Sequence, residues 1–384
     1  MGAEPVRYRF EHERRIRCAF VGAGGHSYRN LYPAFQYAPV ELVAVCDLQR
    51  DRAETYARLF GAASHYDDPA EMLERERPEA VFVVTGYDPE TGRVQATDVA
   101  LACLRAGAHV WMEKPAAASV AEVEELRRAA REAGRFVVVG TKKVFTPAFE
   151  KVEQLVASEE FGPVSSLSLR YPQALPPPER RGLLALPGAS EEEVWHGTMR
   201  SFLDHVYHPA AVLVQLLGPV QRFAYEWEPE TGSSVASLRF ASGAVGTLHL
   251  AAGIAASSPL ERLEVVGRDA NVVVENGVRV TYYRPGASRG AYGRDASFLV
   301  DDAVAPLVWE PEFSLGTLSN KSLFLLGYVP EVLHFCASVV TGRPPAKGTL
   351  ESALAIMHLY DAYRLVPAGT VVTLPLDAVE WPGA

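Results

Sequence analysis

The sequence predicts an α/β protein of two domains, with a parallel α/β domain over residues 1–145 and an α+β domain over residues 146–384. In the first 145 residues, short apolar segments alternate with helical segments, which is typical of a parallel sheet with helices on both faces. From residue 220 onward, short strands follow one another, joined by turns such as Asn276-Gly277, a strong hairpin signal. We therefore expect a mostly antiparallel, open-faced sheet in the second domain.

Composition places the chain among globular proteins large enough for two cores. It has 384 residues, of which 48 % are hydrophobic and 22 % are charged. The net charge of −10 argues against a nucleic acid or an anionic membrane surface as a partner. No apolar run approaches the length of a membrane span, and residues 1–15 lack the apolar core of a signal peptide. The 4 cysteines lie in apolar segments without metal-type spacing, so we expect reduced cysteines in a cytoplasmic protein and no metal site.

Strand and helix predictions for the first domain follow from apolar runs and helical periodicity. The strands are expected at residues 16–21, 41–46, 64–66, 80–84, 109–112 and 136–139. The helices are expected at residues 28–38, 50–60, 67–76, 95–106 and 120–133. Ligands of such a sheet bind outside the carboxyl ends of its strands. The residues that come to this edge are Gly22, Asp47, Thr85, Gly86, Glu113, Lys114, Pro115 and Gly140.

A glycine turn follows the first strand. Its residues are Gly22, Ala23, Gly24, Gly25, His26 and Ser27, and a predicted helix begins directly after them. Free N–H groups and the helix dipole favour an anion at such a turn, where Gly22 permits the tight bend and Gly24 lets a pyrophosphate approach the backbone. His26 and Ser27 either contact the pyrophosphate or cap the helix. The turn indicates a Rossmann dinucleotide-binding domain, with a plain βαβ packing unit as the alternative.

Asp47 closes the second strand at about the distance at which an acid binds the adenosine ribose. Its carboxylate would accept hydrogen bonds from both ribose hydroxyls of NAD and repel the additional phosphate of NADP. Arg50, three residues further on, would soften that repulsion. We therefore expect NAD as the preferred cofactor, with NADP as a possible alternative.

The second domain is predicted from shorter patterns. Helices are expected at residues 147–158, 201–217, 328–340 and 349–365. Strands are expected at residues 164–171, 235–240, 244–250, 263–266, 272–275 and 278–283. A proline-rich loop over residues 173–190 and an irregular segment over residues 286–318 are expected to determine specificity. Because helices would cover only one face of the sheet, we expect an apolar face that is buried in a homodimer or homotetramer.

At this point the sequence resembles the glucose–fructose oxidoreductase / inositol dehydrogenase (Gfo/Idh/MocA) family. The resemblance rests on Gly22-Ala23-Gly24, Asp47, Glu113-Lys114-Pro115, Gly-Thr-Lys-Lys-Val-Phe-Thr-Pro at residues 140–147, and Asp204-x-x-x-His208. It implies NAD(P)-dependent oxidation of a hydroxyl, or reduction of a ketone, on a sugar or cyclitol. It also implies that Lys114, Asp204 and His208 line the nicotinamide, that the proline is cis, and that the sheets of two subunits pair.

The residue types suit that chemistry. Oxidation of a secondary alcohol requires a base for the hydroxyl proton and a positive group for the developing alkoxide, roles that fit His208 and Lys114. Asp204 and His208 share one face if their segment is helical, so that the carboxylate can orient the imidazole. Pro209 would kink such a helix, and we expect the regular helix to begin only near His208. The alternative for His208 is an ordinary hydrogen-bonded helix residue.

Several further residues are candidates for substrate binding. Lys142 and Lys143 reach the sheet edge, although adjacent lysines are more often a solvated loop. Trp195, Arg200 and Tyr207 flank the proposed catalytic segment, although aromatic residues beside a helix are usually core. The chain also departs from the family: Ala211 replaces a frequent acid, the usual asparagine and histidine after the fourth strand are missing, and residues 87–93 look like an insertion.

Two other functions are compatible with this pattern. Some relatives in the family use bound NAD transiently to eliminate or hydrolyse a glycosidic bond. A sensor would keep the cofactor domain and lose catalysis, which the intact Lys114, Asp204 and His208 argue against.

Overall fold

The computed structural model describes residues 12–88, 94–181, 198–255, 257–285, 305–310 and 321–375. Within them the strands are β1 Ile16–Val21, β2 Val40–Cys46, β3 Ser64–Tyr66, β4 Ala80–Val83, β5 His109–Glu113, β6 Val137–Gly140, β7 Ser166–Tyr171, β8 Val220–Trp227, β9 Ser234–Phe240, β10 Val245–Leu250, β11 Arg262–Val266, β12 Asn271–Glu275, β13 Arg279–Tyr283, β14 Leu307–Trp309 and β15 Val372–Thr373. The helices are α1 Arg50–Phe60, α2 Pro69–Glu76, α3 Gln95–Arg105, α4 Val120–Ala133, α5 Pro147–Val156, α6 Thr198–Leu217, α7 Lys321–Leu325, α8 Tyr328–Thr341 and α9 Leu350–Leu365.

The chain divides into two compact units. The first comprises the described residues within Met1–Phe145 and Ser319–Met357, and the second those within Thr146–Leu318 and His358–Ala384. The sequence placed everything after residue 145 in one domain, whereas residues 321–357 belong to the first unit. The physical reason is the apolar face of α8, because Val329, Val332 and Phe335 are buried in the same core as Phe82.

The first unit contains a six-stranded sheet in the order β3-β2-β1-β4-β5-β6, with every pair parallel. This is the doubly wound order of a dinucleotide-binding domain, and it confirms the predicted Rossmann fold. β4 is buried along its whole length, as expected for a central strand covered on both faces. The core includes Phe20 stacked on Phe82 at 6.0 Å and Phe335 packed edge-on against Phe82 at 5.4 Å.

The helix predicted over residues 28–38 is wrong in type. Ser27–Leu31 forms a π-helical turn, and Tyr32–Tyr37 continues as a 3₁₀ helix. Pro33 supplies the physical reason, because it has no N–H to donate to the preceding turn and its ring excludes a regular α-helix there. The segment still buries Leu31 and Ala34, so it packs on the sheet as the periodicity predicted.

The second unit contains a sheet whose described strands run in the order β14-β13-β12-β11-β7-β10-β9-β8-β15. Of its described pairs, β7 with β10 is parallel and the others are antiparallel, which confirms the prediction of a mostly antiparallel sheet. The β12–β13 hairpin turns at Asn276 and Gly277, with φ values of 51° and 66°. Positive φ at both residues matches the turn that the dipeptide predicted.

Helix α6 corrects the prediction that a regular helix begins only near His208. It begins at Thr198 and continues through Pro209 to Leu217. The proline deprives the carbonyl of His205 of its helical donor. Burial of Phe202, Leu203 and Val206 before the proline outweighs this loss and keeps the segment helical.

The sequence predicted an apolar face on the second sheet, and the exposed residues of its described strands include both apolar and polar side chains. β9 alternates strictly between buried and exposed residues, and its exposed residues are Val235, Ser237 and Arg239. Val245 and Tyr283 are exposed on other strands, but they stand among polar residues such as Thr247 and Arg262. The exposed positions of these strands therefore carry both apolar and polar residues, as is common for an antiparallel sheet with one face outside the core.

None of the helices within the described residues is long and apolar enough to cross a membrane. All four cysteines are buried and free, and burial raises the pKa of Cys18 above its usual range. They are core residues, as the sequence predicted.

Candidate functional site

The glycine turn is built as a cradle for a phosphate group. Gly22 has φ of 108°, and a Cβ atom at this position would clash with the carbonyl oxygen of Val84. Gly24 has open space where its side chain would stand, and its carbonyl accepts a hydrogen bond from Tyr28 N at 3.0 Å. The backbone is therefore closed on the β4 side and open at Gly24, which fits the pyrophosphate of a dinucleotide.

The two residues after the glycines do not cap the helix through their side chains. His26 makes no cap hydrogen bond, and its Nε2 lies 3.4 Å from Glu113 Oε2. Asn30 Nδ2 lies 3.2 Å from the other ring nitrogen of His26. Ser27 is fully buried at the position where the usual pattern has its third glycine. The hydroxyl of Ser27 has no hydrogen-bond partner within the described residues, so the capping alternative is wrong for both residues.

Asp47 is held by backbone donors. Its Oδ2 accepts from Ala23 N at 2.8 Å and its Oδ1 from Gln49 N at 2.9 Å. Charge-assisted bonds of this kind fix the carboxylate at the end of β2 in one orientation. Each oxygen still has acceptor capacity, which suits the two hydroxyls of a ribose.

A pocket of about 520 Å³ lies beside Asp47 in the first unit. It is lined by Val21, Gly22, Gly24, Asp47, Leu48, Gln49, Arg52, Pro69, Val84, Thr85, Gly86, Asp88, Gln95, Asp98 and Val99. Its size falls in the range of cofactor sites. Gly22, Gly24, Asp47, Thr85 and Gly86 are brought together here as the sequence predicted.

Arg50 is placed differently from the expectation. Its Nη1 lies 3.4 Å from a carboxylate oxygen of Asp67, and it does not line this pocket. Arg52 is the arginine that lines it, together with Asp88 and Asp98, two acids that the sequence analysis missed. The sequence signal that could have distinguished the two arginines is their spacing on α1, because Arg50 and Arg52 differ by about 200° around the helix axis.

The strand end at β5 carries the Glu113-Lys114-Pro115 segment. The Lys114–Pro115 peptide bond is cis, as the resemblance implied. Glu113 is the final residue of β5, and its carboxylate lies next to the His26 imidazole. This strand end therefore places an acid and two basic groups at the carboxyl edge of the sheet.

Lys142 begins the 3₁₀ turn after β6, from which it is separated by Thr141. Its Nζ donates to the hydroxyl of Tyr328 at 2.9 Å and lies 4.7 Å from the centre of that ring. Burial lowers the pKa of Lys142, while the carboxylates of Glu113 and Glu331 oppose that effect. Lys142 is therefore a half-buried, fixed cation at the same edge, and not a solvated loop residue.

Glu331 and Tyr328 on α8 were not identified as site residues from the sequence, which predicted only a helix over residues 328–340. Glu331 is 1 % exposed, and its Oε1 accepts a hydrogen bond from Thr141 N. Burial raises the pKa of Glu331 well above its usual range, and Glu113 raises it further. A glutamate within an otherwise apolar helix was the signal that could have identified it.

The remaining site residues lie in the second unit. Asp204 and His208 lie one turn apart on α6, which confirms the helical spacing on which their pairing was predicted. Burial raises the pKa of Tyr171 at the end of β7, and the charges of Glu261 and Asp204 add to the shift. Asp204 therefore lies within electrostatic range of Tyr171. Tyr207 is fully buried and Arg200 half-buried, while Trp195 lies outside the described residues.

Comparison with known proteins identifies the class. The profile of an oxidoreductase family with an NAD-binding Rossmann fold, Gfo/Idh/MocA, matches residues 16–141. The profile of the Gfo/Idh/MocA C-terminal domain matches residues 149–273. The chain belongs to the Gfo/Idh/MocA family, and its first unit is an NAD-binding domain.

The chain is similar to dehydrogenases of cyclitols. It is 23 % identical to myo-inositol 2-dehydrogenase of Thermotoga maritima, over 61 % of this chain and 68 % of that protein. It is 28 % identical to scyllo-inositol 2-dehydrogenase (NAD+) of Bacillus subtilis, over 44 % of this chain and 48 % of that protein, about half its length. An oxidoreductase of Agrobacterium radiobacter, solved with NAD+, L-tartaric acid and magnesium, has the same fold, with a TM-score of 0.72 and 15 % identity over 94 % of this chain and 98 % of that one.

We predict that Gly22→Ala and Gly24→Ala separate folding from cofactor binding. Gly22→Ala should lower the melting temperature, because the added Cβ meets the Val84 carbonyl and the backbone has positive φ. Gly24→Ala should melt like the wild type but bind NADH more weakly, because the methyl group occupies the approach of the pyrophosphate.

The measurements are thermal unfolding and NADH titration by fluorescence. Gly61→Ala is the control for positive φ alone, since Gly61 has φ of 76° and open space around it. Unchanged NADH affinity in Gly24→Ala would mean that the pyrophosphate does not approach this backbone.

Proposed function

We propose that the protein is an NAD-dependent oxidoreductase that transfers a hydride between nicotinamide and a hydroxyl or ketone carbon of a sugar, sugar derivative or cyclitol. The observation that carries the proposal is the Asp204–His208 pair on one helix, in a chain whose NAD-binding sheet ends in Glu113-Lys114-Pro115. The named relatives, which are inositol dehydrogenases, support the substrate class.

Bound NAD would supply the hydride acceptor at its nicotinamide ring, and the chain supplies the proton chemistry. In this proposal His208 accepts the hydroxyl proton and Asp204 orients its imidazole. Lys114 stabilises the oxygen that becomes negative as its proton leaves. The same groups return the proton when a ketone is reduced.

We propose that Lys142, Lys143 and Arg200 contact the substrate. Lys142 is a fixed cation at the sheet edge, and Lys143 follows it in the same turn. Arg200 is partly exposed on the helix of Asp204 and His208. Tyr207 is fully buried, which favours packing over substrate contact. Glu113 and His26 are proposed to lie beside the cofactor.

We propose NAD as the preferred cofactor, since the pocket beside Asp47 also contains Asp88 and Asp98. Three acids would repel the additional phosphate of NADP. We expect a lower dissociation constant for NADH than for NADPH. Asp47→Ala should bring the dissociation constants of NADH and NADPH closer together. Asp51 is an exposed acid on α1, and Asp51→Ala should leave the ratio of the two constants unchanged. Tighter binding of NADPH by the wild type would contradict this preference.

We also predict the effect of removing the proposed base. His208→Ala should lower turnover by about a hundred- to ten-thousand-fold with NADH affinity nearly unchanged. It should also abolish the acidic limb of the pH–rate profile for alcohol oxidation, because that limb reports protonation of the base. Asp204→Asn should cause a smaller loss of turnover and shift the pH of the acidic limb. Lys114→Met should lower turnover without weakening NADH binding.

Steady-state kinetics across pH on a panel of sugars and cyclitols, followed by NADH absorbance, provide the measurement. His205→Ala is the matched control, because His205 is an exposed histidine on the same helix whose Nδ1 contacts Ser201 O at 2.7 Å. Near-normal turnover in His208→Ala would place the proton acceptor elsewhere. Glycoside cleavage without net NADH would indicate the elimination chemistry instead.

For assembly we propose a homodimer or homotetramer formed through the exposed face of the second sheet, as the family resemblance implies. Val235 and Val245 are exposed apolar residues on this face and lie among polar side chains. Such a mixture of apolar and polar residues suits a subunit interface. Light scattering at micromolar concentration should give a mass above that of one chain, and Val235→Glu should reduce it. A monomeric wild type would contradict the proposal.

The four free cysteines support a reducing, cytoplasmic location.

A further inference from the structure

A second cleft, of about 480 Å³, lies within the second unit, and we call it the proline cleft. It is lined by residues 172–177, Trp227, residues 229–232 and, on α6, Ser201, Phe202 and His205. Its volume falls in the range of small-molecule sites. Residues 173–177 belong to the proline-rich segment that is expected from the sequence to determine specificity.

Hydrogen bonds join the walls of the proline cleft to one another. Leu175 N donates to Gly232 O at 2.8 Å, and a Cβ atom at Gly232 would meet Leu175 O, so the proline-rich segment and the β8–β9 hairpin are in direct contact. Gln173 Nε2 donates to Phe202 O at 3.1 Å and joins the same segment to α6. The cleft is therefore preformed, and a ligand that fits it loses little free energy in ordering the protein.

Trp227 has the largest side chain in the lining, and Arg181 holds it in place. The guanidinium carbon of Arg181 lies 5.2 Å from the centre of the Trp227 ring. Arg181 is fully buried, and its Nη1 donates to the hydroxyl of Tyr225 at 2.5 Å. The indole and the proline rings thus offer fixed apolar surfaces, against which the C–H face of a sugar ring can pack.

The polar groups of the lining suit an uncharged ligand that carries hydroxyl groups. The described lining residues include no lysine or arginine, and Glu230 is the only acid among them. A phosphate would therefore be repelled by Glu230. Ser201 and Glu230 are exposed and offer a hydroxyl and a carboxylate to sugar hydroxyls. Gln173 Oε1 and Trp227 Nε1 have no hydrogen-bond partner within the described residues, and water or a ligand commonly satisfies such atoms.

The proline cleft adjoins the face of α6 that carries the proposed catalytic pair. Ser201 and His205 line the cleft, and Asp204 and His208 each follow one of them by three residues. Residues three apart are neighbours on a helix surface, with about 5–6 Å between their Cβ atoms. A substrate whose reacting carbon lies at His208 can therefore extend along α6 into the cleft.

We propose that the proline cleft binds a second, uncharged ring of the substrate, so that the protein acts on one ring of a glycoside in preference to the free sugar or cyclitol. This inference rests on the proposed function and narrows its substrate class to neutral glycosides. The reacting ring lies at Asp204 and His208, and the second ring packs against Trp227. The hydride still passes to NAD and the proton to His208, and the glycosidic bond stays intact.

Matched compounds test the requirement for a second ring. Maltose and cellobiose add one ring to glucose, and the galactoside of myo-inositol adds one ring to that cyclitol. The wild type with NAD should show higher kcat/KM for a two-ring member than for its parent, mainly through a lower KM. Methyl glucoside has the glycosidic bond without the second ring and should behave like glucose. A preference for dTDP-glucose over the two-ring compounds would contradict the inference.

Variants of Trp227 assign the effect to the cleft. Trp227→Ala should reduce the ratio of kcat/KM for two-ring over one-ring substrates by about tenfold. Trp227→Phe should retain most of that ratio. Trp309→Ala is the control, because Trp309 is a partly buried tryptophan of the same sheet that also lies beside a cation, with Lys151 Nζ 4.5 Å from its ring centre.

Ser201→Trp fills the cleft from an exposed position on α6, where a large side chain need not enter the core. It should raise KM for two-ring substrates and lower the same ratio, while Ser201→Ala should retain most of it. A purely structural effect would lower stability and alter both kinds of substrate equally, and thermal unfolding measures the stability. His205 also lines the cleft, so His205→Ala serves as the control for the proposed base with one-ring substrates.

The outcomes separate this inference from the proposed function. Equal kcat/KM for one-ring and two-ring compounds in the wild type, or equal losses on both in Trp227→Ala and Ser201→Trp, would overturn the inference while the dehydrogenase activity stands. If no compound yields NADH, the proposed function fails. Calorimetric binding of maltose and cellobiose to the NADH-loaded protein then still tests the cleft. Binding that Trp227→Ala weakens and Trp309→Ala preserves supports the inference, and absence of binding contradicts it.

Discussion

The first unit depends on the close approach between Gly22 and the end of β4. Gly22 N donates to Cys46 O at 2.8 Å, and any side chain at Gly22 would meet the carbonyl of Val84. The turn is thereby held between β2 on one side and β4 on the other. Only glycine both adopts the positive φ readily and lacks the side chain for which there is no space. These two contacts of Gly22 restrict the path of the chain after β1 and so help to position the backbone donors of the turn.

Asp47 shows how this constraint reaches the cofactor pocket. Because the turn is fixed, Ala23 N points at the end of β2 and donates to the Asp47 carboxylate. The acid is therefore oriented by the same turn that cradles the phosphate. Tyr56 adds to this arrangement by donating from its hydroxyl to Gly24 O at 3.2 Å. Cradle and acid form one hydrogen-bonded assembly, and disturbing either should disturb the other.

The strands of the parallel sheet could be predicted from the sequence because each is a short, continuous apolar run with a clear end. The same local pattern predicted the residues at the strand ends, including Asp47 and Lys114. It failed where one residue changes the local geometry, as Pro33 does in the segment after the glycine turn. It also failed at Pro209, where burial of neighbouring side chains prevails over a local preference.

The contribution of residues 321–357 to the first unit could not be predicted, since periodicity shows which face of a helix is apolar but not against which core that face packs. For the same reason neither Tyr328 nor Glu331 was identified as a site residue from the sequence. Their partners, Lys142 and Thr141, lie 186 and 190 positions away along the chain. Contacts at such a separation have no signature in a local pattern. The lysines were visible in the sequence, but the burial that makes one of them a fixed cation was not.

The hydrogen bond from Thr141 N explains why Glu331, a buried acid, is tolerated at this edge. Without it, the N–H of Thr141 just past β6 would be buried without this acceptor, and leaving a buried donor unmet costs about 1–3 kcal/mol. The carboxyl group meets that need in either protonation state, because its Oε1 accepts in both. Burial raises its pKa, so in the folded protein it retains a proton at a pH where the unfolded chain has released it. Folding stability therefore falls as the pH rises through that interval.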